Sequence, residues 1–97
     1  MNQIKECLNI GDVRVEIDRI DKQIIELLGE RYQYIKEIVR FKSDSNDVEA
    51  PVRYNEVLKV RRIWASEAGI NADIIEKLYS DLMQYFISEQ KKMLNIE

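Results

Sequence analysis

The stretch from Ile10 to Lys42, IGDVRVEIDRIDKQIIELLGERYQYIKEIVRFK, decides the fold. Its apolar residues Ile10, Val13, Ile17, Ile20, Ile24, Leu27, Leu28, Ile35, Ile38 and Val39 follow the spacing of one helix face, not the alternation of a strand. No proline interrupts it, and Asn9 or Asp12 can cap its start. The spacing therefore predicts one helix running to about Lys42, roughly 32 residues and about 48 Å long. A compact globule of 97 residues has a radius of gyration of about 12.5 Å, hence a diameter of about 32 Å. The helix overshoots any core its own chain can supply, while its apolar stripe continues to Val39. A second copy with the long helices side by side is the simplest cover, so the expectation is an intertwined homodimer.

Two punctuation points divide the remainder. The polar segment Ser43-Asp44-Ser45-Asn46-Asp47 reads as a loop, and Pro51 opens a second helix at its first turn. That helix carries Val52, Val57, Leu58, Val60, Ile63, Trp64 and Ala65 and stops at Gly69. Asn71 caps the third, which continues through Leu78, Leu82, Phe86 and Met93. The fold class is all-α, three helices in long-short-long order, forming a single domain over residues 1–97.

Composition removes whole classes of chemistry. The chain has no histidine and one cysteine, Cys7, so Ser-His-Asp and Cys-His nucleophile systems and a zinc site of His and Cys cannot be built. No disulfide can form within the chain, which fits a reducing compartment. No apolar leader core opens Met1-Asn2-Gln3-Ile4-Lys5-Glu6, and no stretch approaches the ~20 apolar residues of a membrane span. A cytoplasmic protein without a membrane partner is expected. Fifteen basic against 18 acidic residues leave a net charge of −3, which argues against nucleic acid as a partner.

Several cations stand where apolar residues belong. Arg31 interrupts the stripe between Leu28 and Ile35, and Lys42 follows eleven residues later. On a continuous helix that is three turns with about 20° of drift, and about 16 Å along the axis. Two long side chains reaching inward would leave a gap for a small dianion. Arg53 can lean over the same gap, and Gln90 places a neutral donor on the seam Leu82-Phe86-Gln90-Met93. Arg14 is seventeen residues from Arg31, about 25 Å away and rotated by about 100°. On a straight helix it does not comfortably reach the same ligand, but in an antiparallel dimer Arg14 of one chain can enter the partner's pocket. Taken singly, cations on long helices usually extend to water or pair with acids one turn away, and a glutamine near a helix end is usually solvated. Spacing alone makes the pocket possible.

The pattern Ile17-Asp18-Arg19-Ile20-Asp21, Leu27-Leu28-Gly29-Glu30-Arg31, Lys42, Pro51-Val52-Arg53 and Glu89-Gln90 resembles the all-helical chorismate mutase family across nearly the whole chain. The stretches Arg40-Phe41-Lys42, Ala50-Pro51-Val52-Arg53 and Arg62-Ile63-Trp64-Ala65-Ser66-Glu67-Ala68-Gly69 resemble in particular the branch that eliminates pyruvate from isochorismate to give salicylate. The resemblance implies an intertwined dimer with two active sites. In each, Arg14 of the neighbour and Arg31 would hold the substrate's two carboxylates. Lys42 and Gln90 would hydrogen-bond its ether oxygen, and Arg53 would add positive charge. It implies no cofactor and no metal: a pericyclic reaction needs a compact substrate conformer and stabilisation of charge on the breaking C–O bond.

Mutases of this fold carry carboxylates flanking the pocket arginine to receive the ring hydroxyl; here those positions look like Ala50 and Tyr54. Losing these acceptors disfavours chorismate and favours the lyase reaction. Tyr54 would narrow the site or donate its own hydroxyl. Chorismate mutase activity is the alternative. A non-catalytic helical dimer, acting as a sensor or interaction module, is the reading from another class; the basic cluster Lys59, Arg61 and Arg62 would be a phosphate or nucleic-acid contact, and Tyr32 and Tyr34, or Tyr79 and Tyr85, a stacking surface.

Overall fold

The computed structural model describes residues 4–97. The opening Met1-Asn2-Gln3, read above for a leader, lies outside the described residues. Among those described, every regular element is helical: α1 (Ile10–Ile38), a 3₁₀ turn (Val39–Phe41), α2 (Ser45–Glu49), α3 (Pro51–Glu67) and α4 (Ala72–Leu94). Three long helices therefore appear in the expected order, with a fourth, short one added. The chain divides into two units between Tyr34 and Ile35.

The first unit is an N-terminal arm followed by most of α1. Asn9 Oδ1 accepts from Asp12 N at 2.9 Å, while Asp12 Oδ2 accepts from Leu8 N at 3.0 Å. Both candidate caps are thus used, Asn9 satisfying an amide in the opening turn of the helix and Asp12 one in the arm before it. Lys5 reaches Glu16 at 3.9 Å, and Glu16 also pairs with Arg19 at 3.1 Å. No residue of α1 is buried; Ile17 and Ile24 are about half exposed, and Leu27 more so.

In the second unit α3 and α4 pack as an antiparallel hairpin. Tyr54 near the start of α3 meets Ser80 and Gln84, and Arg62 near its end meets Asp73 and Glu76. Gly69 ends α3 as expected: at φ 78°, it donates to Ser66 O while Ile70 donates to Ala65 O. This paired closure needs a left-handed residue, which glycine adopts without a Cβ clash. Asn71 Oδ1 then accepts from Ile74 N at 3.0 Å and starts α4. The core is small: Val48, Val57, Ala65 and Phe86. Much of the expected apolar face, including Val52, Ile63, Trp64 and Leu78, stays exposed.

Two boundaries differ from the sequence reading. Helix α1 stops at Ile38 and tightens into the 3₁₀ turn, leaving Lys42 extended at φ −122°, ψ 146°. The eleven-residue count from Arg31 to Lys42 along one straight helix therefore does not apply. The polar segment 43–50 is not an open loop but holds α2, capped by Asp44 Oδ1 accepting from Asp47 N at 2.9 Å. Its single apolar residue, Val48, is only 2% exposed and supplies the burial that polar neighbours cannot.

Candidate functional site

Lys42 sits where the 3₁₀ turn gives way to extended chain, its N–H donating to Val39 O at 3.0 Å. Its side chain is half-buried. Burial holds the ammonium below the usual lysine pKa, and the negative charge of Asp47 partly offsets this. Asp47 Oδ2 accepts from both the backbone N–H and the hydroxyl of Ser43, each at 3.0 Å. The Ser43 backbone N–H, with the hydroxyl second, holds the Asp47 carboxyl below the usual carboxylate range. The turn containing Asp47 is tied to α4 by Lys91, whose Nζ lies 3.4 Å from Glu49. Ser45 Oγ also donates to Glu97 O at 2.7 Å.

Gln90 lies on α4, one turn beyond Phe86, and is 4% exposed despite standing near the helix end. Its side-chain carbonyl Oε1 is buried with no hydrogen-bond partner among the described residues. Such a group costs about 1–3 kcal/mol, which a protein tolerates where a ligand will supply the partner. Here the solvated reading of a glutamine near a helix end is overturned.

Arg53 is exposed in the first turn of α3 and lines an open cleft with Asn46, Asp47, Ala50 and Glu56. Glu56, one turn further along α3, was not singled out by the sequence reading. Its spacing of three residues from Arg53 was the available signal. Tyr54 belongs to a different cleft, with Glu49, Asn55 and Gln84. Its hydroxyl is 2.7 Å from Ser80 Oγ and accepts from Gln84 Nε2 at 3.3 Å. Tyr54 thus joins α3 to α4 through its hydroxyl. Successive helical residues point about 100° apart, so neighbours in sequence face different clefts.

Arg14 and Arg31 both lie on α1 before Tyr34, Arg14 exposed and Arg31 half-buried. Lys42, Arg53 and Gln90 belong to the second unit. The basic cluster Lys59, Arg61, Arg62 does not form one surface. Arg61 stacks on Trp64 and Tyr79, with its guanidinium carbon 4.6 and 5.5 Å from the ring centres. Arg62 pairs with Asp73 at 2.7 Å and Glu76 at 3.5 Å. No group of three or more His, Cys, Asp or Glu among the described residues could hold a metal ion. No described helix is long and apolar enough to cross a membrane.

The chain belongs to the chorismate mutase type II family, whose model matches residues 13–91. Among individual proteins, it is 37% identical over 92 residues to an isochorismate pyruvate lyase of Pseudomonas aeruginosa, covering 95% of this chain and 91% of that one. It is 34% identical over 81 residues to the T-protein of Haemophilus influenzae, covering 82% of this chain and 20% of that protein. A bifunctional chorismate mutase/prephenate dehydratase of Aquifex aeolicus is 31% identical over 88 residues, covering 87% of this chain and 24% of that protein. The chain thus spans a fifth to a quarter of the two larger relatives, but nearly all of the first.

Proposed function

We propose that this protein is an isochorismate pyruvate lyase, built as one chorismate mutase domain over residues 1–97. The observation that carries this reading is 37% identity extending over nearly the full length of both this chain and the Pseudomonas aeruginosa lyase. In the reaction the ether C–O bond of isochorismate breaks, a ring hydrogen moves to the enolpyruvyl methylene, and pyruvate and salicylate result. All atoms are accounted for without an external acid, base or cofactor.

The two substrate carboxylates require two cations, which are Arg31 of one subunit and Arg14 of a second copy. Lys42 donates to the ether oxygen as charge builds on it. Gln90 adds a second hydrogen bond, and Arg53 contributes positive potential. Fixed donors aimed at developing charge supply several kcal/mol of transition-state stabilisation where water is excluded. Because that charge appears only as the bond breaks, Lys42 contributes more to turnover than to substrate binding. The homodimer is supported by α1, where Ile17, Ile20, Ile24 and Leu27 leave an apolar stripe between 45% and 62% exposed.

The deciding experiment supplies the purified protein with isochorismate and, separately, with chorismate, following salicylate fluorescence and prephenate formation. Salicylate from isochorismate is expected, and Lys42→Ala should lower kcat by about 100-fold or more with KM changed far less. Prephenate forming rapidly with no salicylate would replace this reading by the mutase one, which the family match and the Aquifex aeolicus relative favour. Turnover of neither substrate, with one dianion bound per site, would identify a sensor.

A further inference from the structure

Lys42 occupies extended backbone between a 3₁₀ turn and a five-residue helix. A long side chain with many rotamers is a poor electrostatic device unless its root is fixed. Both peptide N–H groups at that root are engaged. The Lys42 N–H donates to Val39 O at 3.0 Å, and the next one, Ser43 N–H, donates to Asp47 Oδ2 at 3.0 Å. The Ser43 hydroxyl doubles the second tie, also at 3.0 Å. Asp47 is itself immobilised, its N–H donating to Asp44 Oδ1 at 2.9 Å and its neighbour Val48 buried in the core.

We infer that Asp47 is a positioning residue for Lys42: through Ser43 it anchors the lysine's backbone to the core-bound turn of α2, and it places a negative charge five residues along the chain from the lysine. This rests on the catalytic reading of Lys42 given above. The elements packed about the lysine's root are α2, which carries Asp47 and Glu49, and α4, which packs on the 3₁₀ turn. Glu49 is paired with Lys91, and Glu89 with Lys92 at 4.0 Å. Asp47 is the group whose charge acts on Lys42, against the effect of burial. Asp47 touches no reacting atom in this assignment, and its influence reaches the substrate through the lysine alone.

Two substitutions separate anchoring from charge. Asp47→Asn keeps an oxygen that can accept from Ser43 but removes the charge. Its kcat near neutral pH should stay within about threefold of the parent, while the alkaline limb of kcat/KM moves to lower pH. Asp47→Ala removes both, and kcat should fall about 10-fold or more with KM changed less than about threefold, because the lysine is misplaced rather than the substrate lost. Circular dichroism reports whether Asp47→Ala keeps its helices; if it does not, the pH profile of Asp47→Asn decides. An Asp47→Asn profile superimposable on the parent's, or a folded Asp47→Ala with unchanged kcat, overturns the inference. Lys42→Ala with near-normal turnover overturns the catalytic reading and this inference with it. An inactive Lys42→Ala beside unaffected Asp47 variants overturns this inference alone.

Discussion

The hydroxyl of Tyr54 lies 2.7 Å from Ser80 Oγ, joining the first turn of α3 to the middle of α4. A residue standing next to Arg53 in sequence is thereby committed to holding two helices together. Removing the hydroxyl by Tyr54→Phe leaves Ser80 to find another partner and should cost about 1 kcal/mol. In a domain this small that is a fall of a few degrees in Tm, measurable by thermal unfolding. KM for isochorismate should not change; a large rise would return Tyr54 to the substrate site.

Gln90 should show the opposite trade. Its buried carbonyl has no partner among the described residues, so Gln90→Leu, similar in volume and without polar atoms, removes a desolvated group. Stability should rise by about 1 kcal/mol, read by chemical denaturation, while kcat drops about 10-fold or more through loss of the hydrogen bond to the ether oxygen. A variant that loses stability without losing activity would make Gln90 a packing residue.

Arg14 acts from the second copy in the proposed site, which mixing can test. Arg14→Ala and Lys42→Ala homodimers should each be nearly inactive. Random reassortment makes half the dimers mixed, and in each mixed dimer one of the two sites is intact. Activity should then recover to about a quarter of the parent's. No recovery on unfolding and refolding the two variants together, with dimers confirmed by sedimentation, would place Arg14 and Lys42 in the same subunit's site; an Arg14→Ala homodimer with near-normal activity would remove Arg14 from it.

Two titrations set the pH behaviour. Lys42 is shifted below 10.5 by burial, so kcat/KM should fall on the alkaline side with a midpoint below 10.5 as the ammonium is lost. The sign for stability is opposite: the unfolded chain holds that proton more tightly, so stability rises with pH between the folded and unfolded pKa values. Asp47 is depressed below 3.8, first by the Ser43 backbone N–H. Its stabilising contribution is complete above 3.8 and is lost as pH falls through the lower, folded value. Urea titrations across acid pH should show this loss in the parent and not in Asp47→Asn.

The starts of the three long helices and the stop at Gly69 were legible because they are local. Asn9, Asn71, Pro51 and Gly69 each complete their task within about five residues, and short-range hydrogen bonds leave short-range signatures. The order of cations along the chain was equally readable, since a side chain's charge does not depend on the fold. Burial and partner choice were not. Whether the polar run 43–50 coils into α2 depends on Val48 finding a core and on Glu49 meeting Lys91, 42 residues away. Whether Gln90 faces water or the interior, and whether Tyr54 serves a pocket or a helix pair, is decided by which face α4 turns to α3. Sequence determined which residues carry charge and where the three long helices begin; packing between distant segments decided which of those residues are desolvated, because desolvation is a property of neighbours.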